Sequence, residues 1–190
     1  MLTLEKILGM RFIIIISALL FLFAEQVEGQ LSQGGRPMDA PFLKSRGTPL
    51  IAMPKIDKEV IERYLEVQES EQPQLKSFVF AHTFDVNISP ANSGVWVKNY
   101  NGYDVWRVKL QSAEAYSLNV IFENFSLPEG ARLFLYNEEE GHYLGAFTSF
   151  NNRESGVFAV SPVAGEELTI QYEVPSGAGF QQDFIITQVN

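Results

Sequence analysis

From Phe78 onward, apolar side chains recur at every second position, and clusters of Gly, Pro or Asn separate one run from the next. Side chains alternate across a strand, so a period of two means extended chain with one face turned to a core. In residues 78–88, Phe78, Phe80, His82, Phe84, Val86 and Ile88 lie on one side, and Thr83, Asp85 and Asn87 on the other. In residues 103–110, Trp106, Val108 and Leu110 point inward and Arg107 and Lys109 outward. Tyr116, Leu118, Val120 and Phe122 share an inward face, with Ser117 and Asn119 opposite. Leu168, Ile170, Tyr172 and Val174 repeat the pattern, with Thr169, Gln171 and Glu173 opposite.

The punctuation between runs belongs to the same fold class. Residues 90–94 form a turn before a short strand at 95–98, and Asn101-Gly102 is a tight hairpin turn. Residues 127–149 form a hairpin-like unit. Pro128, Glu129 and Gly130 supply turn chemistry, and Leu133 and Leu135 lie opposite Phe134 and Tyr136. An acidic turn at 137–141 leads into a return strand at 143–147. Residues 162–166 make another turn, and further runs at 157–160 and 184–189 complete about nine short strands. The expectation is a mainly β protein: an antiparallel β-sandwich or jelly-roll-like domain over residues 77–190, with one short N-terminal helix.

Composition narrows the function classes. There is no cysteine, which excludes disulfides, thiolate catalysis and cysteine zinc sites. A formal net charge of -9 argues against nucleic acid as a partner, because phosphate contacts need a basic patch.

The first 76 residues differ in character. Residues 1–29 read as a signal peptide: Lys6 and Arg11 precede an apolar run from Phe12 to Ala24 broken only by Ser17. That run is thirteen residues long, short of the roughly 20 a spanning helix needs. Val27 and Gly29 suit the −3 and −1 positions of a cleavage site, with Ala24 as the alternative cut. The expectation is a secreted or cell-surface protein with no membrane attachment after cleavage. Residues 30–76 read as a linker, with Gly and Pro too frequent over 30–54 for regular structure. That stretch is expected to be mobile or to lie along the domain surface. Within the linker, residues 57–68 are a helix candidate. Asp57 is its cap, Ile56 and Ile61 form a hydrophobic staple, and Val60, Ile61, Tyr64 and Leu65 share one face.

No catalytic constellation stands out. The two histidines, His82 on a strand face and His142 in the acidic turn, have no GxSxG elbow or HExxH motif beside them. Asp104, Glu114, Glu123 and Glu173 are too scattered for a paired-carboxylate site. Residues 137–140, and Asn151-Asn152 with Glu154, carry calcium-ligand types without a calcium-loop signature. No cofactor or metal set is expected. Trp96, Tyr100 and Tyr143 are the candidate ligand surface, since exposed aromatic rings can stack on sugars.

Several runs resemble a known family. They are Val105-Trp106-Arg107-Val108, Ala115-Tyr116-Ser117-Leu118-Asn119, the stretch from Leu127 to Tyr136, Leu144-Gly145-Ala146-Phe147-Thr148-Ser149, and Pro162-Val163-Ala164-Gly165-Glu166. In order and spacing they resemble the non-catalytic N-terminal region of bacterial secreted lysyl endopeptidase-like proteases, trypsin-fold serine peptidases made as precursors. The resemblance spans about residues 78–190, and more loosely the entry from Met53 to Asp57. It implies a pro or accessory module that assists folding, restraint or targeting of a protease catalytic domain, its expected partner. That domain, with its His, Asp and Ser, is absent from these 190 residues, so no catalytic residue carries over and the chain itself is expected not to be an enzyme. The alternative is a free-standing secreted module that binds carbohydrate or a cell surface.

Overall fold

The computed structural model describes residues 31–39, 47–57, 59–63, 81–178 and 183–190. The fold is mainly β. Its strands are β1 (Leu50–Ala52), β2 (Phe84–Ile88), β3 (Val95–Tyr100), β4 (Tyr103–Gln111), β5 (Ser117–Leu118) and β6 (Val120–Glu123). They continue with β7 (Arg132–Asn137), β8 (His142–Phe147), β9 (Phe158–Ala159), β10 (Val163–Ala164), β11 (Glu167–Pro175) and β12 (Ile185–Val189).

Two sheets face each other. The larger runs β1-β4-β11-β7-β8, with β3 also paired to β4; the smaller runs β2-β12-β6-β9; and β10 and β5 form a separate pair. Among the described residues, all pairings are antiparallel except β1 with β4. Trp106, Val108, Leu133, Leu135, Ile170 and Tyr172 of the large sheet meet Ile88, Val120, Phe122 and Ile186 of the small one in a single buried cluster. Phe184, just before β12, sits edge-on to Trp106, Phe122 and Tyr172 at centroid separations of 5.8, 5.3 and 5.3 Å. Such edge-to-face packing suits rings whose faces and edges carry opposite partial charge. This is the sandwich that the period-two runs predict.

The turns follow from their residues. Asn101 and Gly102 have φ of 50° and 82°, so both central residues of the β3–β4 hairpin are left-handed, as a two-residue turn of this hand requires. Gly94, at φ 75°, lets the chain pass against Trp106, whose indole N–H donates to the Ser93 carbonyl at 2.7 Å.

Four local expectations differ from the structure. The first long strand begins at Phe84; residues 81–83 are not in a strand, and 78–80 lie outside the described residues. Tyr116 is 98% exposed, not inward. It stands in a bend ahead of β5, so the alternation that buries Leu118, Val120 and Phe122 does not extend back to it. Residues 162–166, read as a turn, contain β10. Leu50–Ala52, inside the stretch read as lacking regular structure, forms β1 and pairs Leu50 with Lys109, Ile51 with Leu110 and Ala52 with Gln111. Of the helix candidate, residues 59–63 are helical, and the Asp57 carbonyl accepts from the Val60 N–H at 2.9 Å. Ile61 is exposed; residues 64–68 lie outside the described residues, as does the proposed signal peptide.

Candidate functional site

The outer face of the large sheet carries the most organised polar chemistry among the described residues. The alternation that buries Val108, Ile170 and Leu135 turns Arg107, Lys109, Thr169, Gln171, Glu173 and Tyr136 to the opposite side. Register brings them together: Gln171 lies between Arg107 and Phe134, and Thr169 between Lys109 and Tyr136. An outward position normally means solvent. Here Arg107 is 5% exposed, and Gln171 and Glu173 are 0% exposed.

Residues 31–39 lie across this face. Gln33 N–H donates to the Ala146 carbonyl and Ala146 N–H to the Gly34 carbonyl, both at 3.0 Å, extending the sheet past β8. The segment then reaches Met38, which two side chains of β11 hold by its main chain. Met38 N–H donates to Glu173 Oε1 at 2.6 Å, and Gln171 Nε2 donates to the Met38 carbonyl at 3.0 Å. Gln171 Nε2 also donates to Glu173 Oε1 at 2.7 Å, which aligns the two holders. Beyond Met38, the Tyr100 hydroxyl donates to the Asp39 carbonyl at 2.8 Å. Two small apolar clusters flank the clamp. One groups Val105 with Met38, Val95, Val97, Tyr100 and Tyr103; the other groups Phe134, Tyr136 and Ala146 with Tyr143.

The charges are arranged unevenly. Glu173 Oε2 stands 2.7 Å from Arg132 Nη2, an ion pair that lacks hydrogen-bond alignment, and Arg132 also lies over the Tyr103 ring. Lys109 pairs with Glu167 at 2.7 Å. Arg107 instead donates through Nε and Nη2 to a neutral acceptor, Gln171 Oε1. The Tyr136 hydroxyl donates to the same oxygen at 3.2 Å. Burial pushes the Tyr136 hydroxyl far above the usual tyrosine value, and the nearby Arg107 charge only partly opposes this. At neutral pH the hydroxyl is a proton donor.

The sequence candidates separate. Trp96 packs toward the inner core, 6.2 Å edge-on from Tyr172, and its indole N–H donates to the Pro90 carbonyl. Lys98 Nζ stands over its ring, 4.3 Å from the centroid. Tyr100 and Tyr143 are on the outer face, in different apolar clusters. Tyr143 is stacked on Tyr136 and covered by Arg36 at 4.4 Å from its centroid. The three rings do not form one platform. The most exposed aromatic rings among the described residues are Tyr116 and Phe150, at 98% and 78%. Tyr116 borders a cleft of about 580 Å³ that Glu139, Glu140, Glu166 and Glu167 also line.

The remaining candidates have structural partners. His142 Nδ1 accepts from the Ala164 N–H at 3.2 Å, and His82 packs edge-on to Phe84. The Asn152 side chain brackets the Leu127 main chain, accepting from its N–H and donating to its carbonyl. Asn151 accepts from the Thr148 N–H and donates to the Leu31 carbonyl. The calcium-ligand types at Asn151-Asn152 are thus committed to loop geometry. Among the described residues, no group of three or more His, Asp or Glu is placed to hold a metal, and no helix is long and apolar enough to cross a membrane.

The sequence does not declare the Gln171–Glu173 clamp or the Arg107 side chain bonded to it, because all three residues read as an outward strand face. The only available signal was an Arg, a Gln and a Glu on strands whose opposite face is wholly apolar. No family model matches this chain, and no solved structure matches it.

Proposed function

We propose that this chain is a non-catalytic β-sandwich module that works by holding extended polypeptide, as the accessory region of a secreted lysyl endopeptidase-like precursor would hold its protease domain. The observation that carries the reading is the clamp on Met38. Gln171 and Glu173, both fully buried, meet the N–H and the C=O of one residue, while the edge of β8 pairs with the chain before it. Recognition through main-chain groups accepts many sequences, which suits a face that stabilises an incompletely folded neighbour. The order of the sequence runs quoted above supports assigning that neighbour to the lysyl endopeptidase-like family.

The test is to refold a lysyl endopeptidase-like catalytic domain with and without the purified full chain. The reading predicts a higher yield of active protease, or saturable inhibition of the active enzyme. No effect on either, or turnover of lysyl amide substrates by the chain alone, refutes it.

One observation favours a second reading, carbohydrate binding. Tyr116 offers an open ring beside a carboxylate-lined cleft, and carboxylates accept hydrogen bonds from sugar hydroxyls. Retention on chitin or cellulose beads that Tyr116→Ala abolishes would establish it; no retention of the parent chain on either would remove it.

A further inference from the structure

We propose that the outer face of the large sheet selects a partner segment with a basic side chain two residues ahead of an apolar one, and that residues 31–39 are a built-in copy of that ligand, displaced when the partner binds. The proposal rests on reading this face as a holder of extended polypeptide, and adds which side chains it reads. Two side chains of the built-in segment meet the face. The Arg36 guanidinium lies over Tyr143, 4.4 Å from its centroid, and that ring is stacked on Tyr136 at 5.3 Å. Met38 packs with Val95, Val97, Val105, Tyr100 and Tyr103. In extended chain, side chains two residues apart leave on the same side, and Pro37 disfavours the helical alternative at Arg36. Main-chain bonds then supply the hold, and sites for alternate side chains supply the choice.

Each of the two sites sets a chemistry. The face of an aromatic ring attracts a cation and disfavours an anion. Arg107 and Glu138 both line the cavity of about 100 Å³ that Arg36 and Tyr143 share, and their charges are opposite, so the ring decides. The site of Met38 is walled by valines and tyrosine rings. An acidic side chain there would give up water without gaining a partner from those walls.

The built-in copy is lightly seated. Of residues 31–39 only Pro37 and Met38 are half-buried, and the others are exposed. Gly34 and Gly35, at φ of 72° and 90°, have no atom within 4 Å of where a Cβ would stand. Fixing glycine also costs more chain entropy than fixing any other residue. What the segment covers is costly to leave empty. Gln171 and Glu173 are fully buried, and without Met38 the Gln171 amide nitrogen and Glu173 Oε1 each lose one of their two partners. Such a face exchanges one extended segment for another in preference to standing open.

The experiment follows the fluorescence anisotropy of a labelled, end-capped peptide copying residues 31–39. It is titrated with the full parent chain and with full chains carrying Met38→Pro or Met38→Asp. Met38→Pro has no N–H for Glu173 and no long side chain for the Val105 cluster, so it unseats the built-in segment. Met38→Asp serves if the proline variant does not fold. The expected result is saturable binding to the unseated chains, about tenfold or more tighter than to the parent, where the tethered segment competes at high effective concentration. Within the peptide, Arg36→Glu should weaken binding about fivefold or more, and Met38→Asp about tenfold. Adding Tyr143→Leu to the unseated chain should remove most of the difference between the parent peptide and its Arg36→Ala form, a coupling that a merely structural role of Tyr143 would not produce. Equal affinity for all the peptides overturns the selectivity and leaves the main-chain clamp standing. No saturable binding to unseated chain that is folded by circular dichroism overturns the holding of polypeptide on this face as well. Equal binding to parent and unseated chains puts the peptide elsewhere and overturns the site. A parent chain that runs at twice its mass and is dissociated by the peptide makes the occupant a second copy and overturns the foreign partner.

Discussion

Glu173→Gln separates the clamp from the rest of the fold. The substitution keeps the shape and one acceptor oxygen but removes the charge. Met38 N–H donates to Glu173 at 2.6 Å, and a bond to a charged acceptor contributes about 1.5–3 kcal/mol against about 0.5–1.5 kcal/mol for a neutral one. The difference, roughly 1–2 kcal/mol, is the expected loss in holding residue 38, or about 5- to 30-fold in a local opening equilibrium. A second effect is global. Arg132 loses its ion-pair partner, but its side chain is 36% exposed and can turn to water, so that cost is smaller than for a fully buried pair, about 1–3 kcal/mol. Native-state hydrogen exchange resolves the two. The Met38 amide should exchange by local lifting of residues 31–39, faster than the Ile170 amide in the middle of β11, which opens only with the sandwich. In the variant, Met38 should accelerate by that 5- to 30-fold beyond any change at Ile170. Equal acceleration at both amides, or none at Met38, would refute the clamp as what holds this segment.

Other perturbations test other parts of the account. Phe122→Ala removes a fully buried ring that meets Phe125, Phe158 and Phe184; it should cost about 3–5 kcal/mol in urea denaturation, and a cost below about 1 kcal/mol would mean the inter-sheet core is misplaced. Gly94→Ala puts a methyl against the Trp106 indole and 2.7 Å from the Arg107 carbonyl at a φ of 75°, so a loss of about 2–4 kcal/mol is expected; a neutral result would rule out that close approach. Burial raises the Asp183 carboxyl above its ordinary value of 3.8, and the hydrogen bond from Tyr172 at 2.5 Å pulls it back only in part. The native state then keeps its proton where the unfolded chain has released it, so this group makes stability fall as pH rises from 3.8 through the native pKa, and no further above it. Asp183→Asn lacks that fall, so the variant should gain on the parent as pH rises across the interval in chemical denaturation; a constant difference would contradict it.

Much of the sandwich was legible because alternation is a local property. Trp106, Val108 and Leu110, and Leu168 through Val174, declare an inner face from their spacing alone. The same spacing says only that Arg107, Gln171 and Glu173 lie opposite; it does not say whether that opposite face is covered. The cover comes from residues 31–39, remote in the chain from all three and 135 positions from Met38 to Glu173, where Gly34, Gly35 and Pro37 signal irregular structure but not a docking place. Tyr116 was misplaced for a related reason. The pattern runs on through it, but Glu114 takes a left-handed φ of 66° just before, and the bend turns the ring to solvent. Strand β1 was hidden because three residues beside Pro49 carry no periodicity, and a parallel partner such as β4 is remote in sequence.

The central claim is that the outer face of the large sheet is where this module meets another polypeptide. Hydrogen exchange of the full chain, with and without a lysyl endopeptidase-like catalytic domain, tests it most directly. The account predicts complex-dependent slowing at residues 33–38 and along β8, or their release if the partner takes their place on β11. No change on this face, with slowing confined to the segments around Tyr116 and Glu139 or absent altogether, would contradict it.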